Sequence, residues 1–326
     1  MSEPITELGL WGLPIAVFGG AIRVGTPFLF VSLGECITEK SGRVNLGLEG
    51  TLVMGAMSAF GTSVLTGSPW LGVAVAGFVG IGMGATHAII CNQPRVNPVA
   101  VGIAMMILGL GLASYLGKPF INPKAEKLPD IDFGWWSDIP QVRAALKINV
   151  LFLIGVLLAP LLAWLLKSTR WGMIVRLAGE SEAAAQAMGY SVNRTRIVAT
   201  ALGGLLAGIG GSYLSLYYPG NWSVGISSGQ GLMAVALVIF ARWNPMYCLA
   251  ASLLFGGVGS LGLALQSIQG VDSPIVEVLK NWNMLSASAS YLWNAAPYVL
   301  TLGIMILTSS RARAMIGAPA ELSLAR

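Results

Sequence analysis

An all-α, polytopic membrane fold is predicted by three features of this sequence. Its 326 residues are 55% hydrophobic and 10% charged, where soluble domains carry about 25% charge. Apolar runs long enough to cross a bilayer recur along the chain, and most of the polar breaks between them are short and basic. A chain with a mean hydropathy of +0.73 cannot cover a water-facing surface, so lipid is the solvent its composition demands. No polar linker divides it, and residues 1–326 are read as one transmembrane domain.

A span needs roughly 20 apolar residues to cross a hydrocarbon core of about 30 Å. The first candidate is 11–34, with Arg23 at its middle, and a charged break at 35–43 (ECITEKSGR) follows it. The second, 45–65, is entered through NLGLEG and closes at a GSPW turn. The third is 71–90. The break CNQPRVNP at 91–98 then stops any helix, because Pro94 and Pro98 have no N–H to give. The fourth is 99–116, and the loop 117–148 after it carries five basic and four acidic residues. The fifth span is 149–166, the polar stretch 168–196 follows, and the sixth span is 198–218. Beyond the Gly- and Ser-rich segment 219–231 lies an apolar run, 232–241, of only ten residues. The break ARWNP leads into a full span at 246–266, a polar loop over 272–282, a last span at 291–307 and a basic tail at 309–326. Nine apolar segments are expected, within a range of about eight to ten helices that includes short or re-entrant ones.

Charge fixes an expected orientation. With the N-terminus outside and the segments alternating, twelve Lys and Arg residues fall inside and six outside, with Arg23 left in a span. This positive-inside bias puts 168–196 and the C-terminus in the cytoplasm and 117–148 outside, provided that 232–241 counts as a crossing. The net charge of +5 is spread over these short loops. With no recognition helix or stacking sheet in view, a nucleic-acid partner is excluded. Cys36, Cys91 and Cys248 lack metal-type spacing and read as buried apolar residues; with His87 the only histidine, no metal site is expected. MSEPITELGLWG has neither a basic n-region nor an A-x-A site, so no removable signal peptide is expected.

Several polar residues stand out against this background. Glu49 lies just inside the second segment, where an ionisable group costs roughly 2.5–3.5 kcal/mol at a helix centre. Two readings stand: a carboxylate near the cytoplasmic interface paired with Arg43, or a residue that shares a helical face with Asn45, four positions away, and orients a broken helix along a permeation path. Arg23 should face the protein interior and find a carboxylate or carbonyls, Glu49 among the candidates. Asn97 and Gln230 each sit in flexible polar backbone directly before an apolar run, the pattern that borders transport paths; an ordinary interfacial loop is the alternative. The stripes AGIGGS (207–212) and FGGVGSLG (255–262), drawn from 42 glycines, suit close helix packing.

The stretch 168–196 (STRWGMIVRLAGESEAAAQAMGYSVNRTR) has its own logic. Trp171 and Met173 can anchor at the interface. Gly179 and Glu180 lead into a helix start at which Ser181 can cap and Glu182 favours the positive helix end. Ala183 to Met188 is helix-forming, with Ala184 and Met188 on one face, and Gly189 suits the position just past the helix. About two turns are marginal alone in water, so this helix needs a partner surface, its own domain or another subunit. Arg194 and Arg196 mark re-entry into the membrane. No P-loop, G-x-S-x-G or H-E-x-x-H is present, so an enzyme is not expected and any nucleotide must bind another chain.

Three blocks carry a family resemblance. SGRVNLGLEGTLVMGA (41–56), GMIVRLAGESEAAAQAMGYSVNRTRIVATALGGLLAGIGG (172–211) and GQGLMAVALVIFARWNP (229–245) resemble, in order, the second span, the coupling-helix loop with its following span, and a late span of bacterial ABC importer permeases of the branched-chain amino acid, ribose and nucleoside group. The match of NLGLEG favours the nucleoside branch, with its basic-membrane-protein-type receptor. One departure is ARW before Asn244, where the family more often has small residues and glycine. The resemblance implies a permease subunit in the bacterial inner membrane that pairs with a second permease subunit, identical or related. Two cytoplasmic ATPases would bind the ATP and Mg and grip Gly179, Glu180, Ala183, Ala184, Met188 and Gly189, and an extracytoplasmic receptor would deliver a nucleoside or purine-like solute. A sugar or amino acid cargo is the alternative within that family. A stand-alone channel or secondary transporter is the alternative outside it, weakened because only Arg23, Glu49 and His87 are ionisable groups deep in the spans.

Overall fold

The computed structural model describes residues 11–121, 123–266, 268, 271, 273–286, 289–308 and 317–324. The opening ten residues, Asp272, and Arg311, Arg313 and Arg326 of the basic tail lie outside them. The described chain is helical apart from one antiparallel pair of short strands, β1 (Asp130–Asp132) and β2 (Lys147–Asn149). Among the described residues seven helices are long and apolar enough to cross a membrane: α1 (Gly12–Lys40), α2 (Leu48–Thr66), α3 (Pro69–Cys91), α4 (Pro98–Leu116), α6 (Val150–Ser168), α9 (Val192–Leu216) and α11 (Pro245–Gln266). The others are α5 (Pro140–Ala145), α7 (Arg170–Glu180), α8 (Glu182–Ala187), α10 (Gln230–Phe240), α12 (Pro274–Asn281), α13 (Ala289–Thr308) and α14 (Ala320–Leu324). All nine expected apolar segments are helical. Their starts follow local chemistry: Ser68, Asn97 and Asn149 accept first-turn N–H groups of α3, α4 and α6, and Pro69 and Pro98 occupy first helical positions.

Helix α9 is the centre of the bundle, packed against α1, α2 and α3, while α1 also packs along α11. Small residues permit this. Gly80 and Gly84 of α3 face Gly204 and Thr200 of α9, Gly55 of α2 faces Gly208, and Gly34 of α1 faces Gly203. The stripe at 207–212 is thus a crossing surface, as expected. The outward faces of α4 and α6 expose Ile103, Ile107, Leu157, Leu161 and Trp164, which suits lipid contact. A Cβ at Gly204 would overlap the Gly80 carbonyl oxygen, whereas one at Gly82 meets open space. Gly204→Ala therefore lowers stability by about 1–3 kcal/mol, and Gly82→Ala is neutral or stabilising by up to about 1 kcal/mol. Thermal unfolding of the two variants in detergent, side by side, checks this; equal melting would remove the crossing assignment.

The two ends of the bundle differ. Where α1 begins, Ala144 and Ala145 pack on Arg23 and Gly19, Ser63 of α2 donates to the Glu126 carbonyl, and Leu128 N–H donates to the Leu216 carbonyl. The segment 117–149 therefore covers this end. Within it, Arg143 donates to Asp132 at 2.7 Å and holds that carboxyl below the usual range. At the other end, the turn after α1 meets Gly179 and Arg196.

Several expected boundaries move. The charged break at 35–43 does not exist as such, because α1 continues to Lys40 with Glu35 and Glu39 buried inside it. Each carboxylate has a donor: Asn45 N–H at 2.7 Å for Glu35, and the Trp243 indole for Glu39. The second span starts at Leu48, so Asn45 precedes the helix and shares no helical face with Glu49. Residues 170–180 form the amphipathic helix α7 in place of an interfacial loop, so Gly179 and Glu180 end one helix before Ser181 caps the next. The tail contains α14, which is tied into the bundle by Glu321.

Candidate functional site

Two polar assemblies lie within this framework. The first is built on Glu49. It stands in the first turn of α2 and is only 5% exposed. Its carboxylate accepts the Ser227 hydroxyl, the Gly229 N–H at 3.0 Å and the Gly231 N–H at 2.7 Å. Those donors are the start of α10 and the loop leading into it. A helix start leaves N–H groups without intrahelical partners and carries partial positive charge, so Glu49 supplies from a distant helix the cap that α10 lacks: Gly229, at its N-cap, has no side chain. Ser228 and Gly229 both take positive φ, at 46° and 79°, to turn the chain into the helix. Helix α10 has 11 residues, about 16 Å, which is half a hydrocarbon core. Its far end is fixed by Trp243, whose indole reaches Glu39 near the end of α1. Arg242 and Trp243 themselves take φ of 50° and 54°, left-handed values that glycine adopts without cost. This gives the ARW departure a structural reason: the strained turn carries an indole to a buried carboxylate.

Of the expected partners of Glu49, neither is found. Arg43 makes no bond to it, and Arg23 donates to the Ala144 carbonyl at the opposite end of the bundle, so the expectation of carbonyls holds for Arg23 and the Arg23–Glu49 pair does not form. Asn45 accepts the Gly47 N–H at 3.0 Å and so shapes the entry to α2. Gln230 is the first residue of α10 and has a buried Oε1 with no hydrogen-bond partner among the described residues. Asn97 is apart from this assembly, capping α4 at 2.8 Å from the Val99 nitrogen.

The second assembly is centred on Arg196, 2% exposed in the first turns of α9. Its guanidinium pairs with Glu182 of α8 at 2.9 Å and with Glu321 of α14 at 3.6 Å. It also donates to the Ser41 carbonyl at 3.2 Å and the Ala178 carbonyl at 3.4 Å. Glu321 in turn accepts the Glu182 N–H at 3.0 Å. One guanidinium fork thus joins α7, α8, α9, α14 and the turn after α1. Within α8, Ser181 accepts the Ala184 N–H as expected, and Gly189 follows the helix with φ of 81°. Helix α8 buries Ala185 against Ala178 and Val192. Ala184 is half-buried, while Ala183, Gly189 and Met188, the last 58% exposed, face outward. Gly179 is buried against the Lys40 carbonyl and is a packing position; Glu180 is exposed.

Sequence reading points neither to Ser227 as a donor to Glu49 nor to Arg196 and Glu182 as an anchoring pair. The signal in the sequence for α7 is the small and apolar spacing of Gly172, Val175, Ala178 and Gly179, proper to one helix face. Among the described residues no cluster of three metal-ligating side chains is present.

These features match known proteins along nearly the whole chain. A putative glucose ABC transporter permease of Haloferax volcanii is 30% identical over 304 residues, 89% of this chain and 90% of that one. A guanosine ABC transporter permease of Bacillus subtilis, NupQ, is 30% identical over 302 residues, 88% of this chain and 89% of that one. A nucleoside ABC transporter permease of Lactococcus lactis, NupC, is 28% identical over 301 residues, 88% of this chain and 90% of that one. The profile of the branched-chain amino acid transport system permease component matches residues 17–309. A multi-pass helical bundle with this extent of match belongs to that family, and the chain is an ABC transporter permease.

Proposed function

We propose that this chain is the membrane-spanning subunit of an ATP-driven importer of nucleosides or purine-like solutes, with the α7–α8 end in the cytoplasm and the 117–149 end outside. The observation that carries this is α8. It is a capped helix too short to stand alone in water, held on the bundle by the buried Arg196, with a small-residue outer face ending in Met188 and Gly189. That face suits a docking groove on each of two cytoplasmic ATPases, which would bind the ATP and Mg. The permeation path borders the junction of Glu49 and α10, where irregular backbone reaches into the bundle and is tolerated because it is buried in protein or lines a cavity. Gln230 opens onto that junction; a second permease subunit completes the path, and an extracytoplasmic receptor delivers the cargo.

Both the NLGLEG block and two nucleoside-permease relatives favour nucleosides. The glucose-permease relative, of equal identity to the guanosine one, supports a sugar as the second reading. Binding of nucleosides and of sugars to the cognate receptor separates them.

The docking assignment is tested by Met188→Asp and Ala183→Asp, both on exposed positions where folding is insensitive. Each should cut uptake by about tenfold or more, as a charge placed in an apolar interface core does, with membrane insertion and melting unchanged. Normal uptake in both, or uptake that needs no ATPase, would remove the reading.

A further inference from the structure

Beside the Arg196 assembly, between the turn after α1, the α3–α4 connection and the start of α9, lies a cavity of about 560 Å³. Its lining includes Arg43, Arg95, Arg196, Asn92, Asn97 and Glu182. Glu182 is committed to Arg196. Among the described residues neither Arg43 nor Arg95 makes an ion pair, and Nε of Arg43 is buried with no hydrogen-bond partner. Burial, then the neighbouring Arg196 charge, holds the Arg43 guanidinium below the usual arginine range. Positive charge is therefore in excess here, and the N-terminus of the 19-residue helix α4 adds to it at Asn97. Arg95 is held in the exposed connection at φ 66°, a conformation a non-glycine residue takes at a cost.

Guanidinium groups with free N–H donors beside a helix start suit an anion with several oxygens, above all a phosphate. The flanks of the cavity indicate its source. Ile89 and Ile90 in the last turn of α3, and Val99 and Ile103 in the first turns of α4, are exposed. These four residues lie beside the lining and not in it; a free phosphate has no use for exposed apolar surface next to its site, whereas acyl chains do. We propose that this cavity binds the headgroup phosphate of an acidic phospholipid, held by Arg43 and Arg95, so that lipid is seated next to α8. Basic pockets between membrane helices recognise headgroups in this way.

The test uses native mass spectrometry of the purified full chain with phosphatidylglycerol, with phosphatidylcholine and with inorganic phosphate alone. Phosphatidylglycerol should be retained in preference to phosphatidylcholine. Its retention should fall by roughly tenfold in Arg43→Gln/Arg95→Gln and by severalfold in Arg95→Gln alone, each cation contributing separately. Arg95 is exposed and unpaired among the described residues, so the single variant folds, and melting in detergent verifies both. Equal retention in wild type and double variant would overturn the site. Binding of inorganic phosphate without lipid preference would overturn its lipid occupant. Neither result bears on the importer reading, which uptake and ATPase co-purification decide.

Discussion

Glu49→Ala is expected to destabilise the bundle by about 3 kcal/mol or more, the cost of leaving several donors to a buried carboxylate unsatisfied. The Ser227 hydroxyl and the N–H groups of Gly229 and Gly231 all converge on this one side chain. Glu49→Gln keeps one acceptor oxygen and places an NH₂ group where the other accepted, so it should recover only part of the loss. The site leaves no room for compensation by added bulk: a Cβ on Gly231 would sit 2.6 Å from Glu49 Cα, so Gly231→Ala should also destabilise, by about 1–3 kcal/mol. Because Glu49 and Gly231 share one contact, the double variant should be less than additive. Thermal unfolding in detergent reads stability, and uptake in reconstituted vesicles reads whether loosening α10 closes or leaks the path. If Glu49→Ala melts with the wild type, the carboxylate does not anchor α10, and the path assignment at this junction falls with it.

The contrast between what the sequence shows and what it hides follows from range. Long apolar runs announce themselves, since lipid imposes the same solvent requirement on every span, and all nine expected segments are helical. The cap at Ser181 and the glycine after α8 were legible because capping acts over two to four residues. Glu35 and Glu39 were not. In one dimension they read as loop charges, and only Asn45 and Trp243, the latter 204 residues beyond Glu39, explain how a helix can bury them. Glu49 is conspicuous from sequence as a costly intramembrane acid, but its partners lie 178–182 residues away, whereas the residues that sequence spacing offers it, Arg43 and Asn45, are near neighbours. Helix α7 is hidden for a different reason: its polar face, with Arg170, Arg176 and Glu180, has the composition of a loop between two apolar spans.

Arg196→Ala is the second large expected effect. Removing one member of a buried ion pair costs about 3–5 kcal/mol, because the remaining groups stay desolvated without a counterpart. Here the loss is shared among elements that have little else to hold them: α8 buries only Ala185 well, and α14 has five residues. The cost should therefore appear as local release of the α7–α8 connection more than as global unfolding, since weakly packed units open first. Proteolysis at 181–191 should accelerate while the core helices stay protected. Arg196→Lys retains the charge but not the planar fork that reaches Glu182, Ser41 and Ala178 together, so most of the release should persist. Glu182→Gln is the control. That carboxylate is 42% exposed on its side chain, and partly screened pairs contribute about 1 kcal/mol or less, so its effect should be small while Glu321 still faces the guanidinium. If ATPases grip α8 as proposed, Arg196→Ala should leave ATP hydrolysis running while the link from α8 through α9 to α1, α2 and α3 is broken, so that hydrolysis continues without uptake. Normal uptake per ATP hydrolysed in Arg196→Ala would show that α8 does not transmit force through this residue.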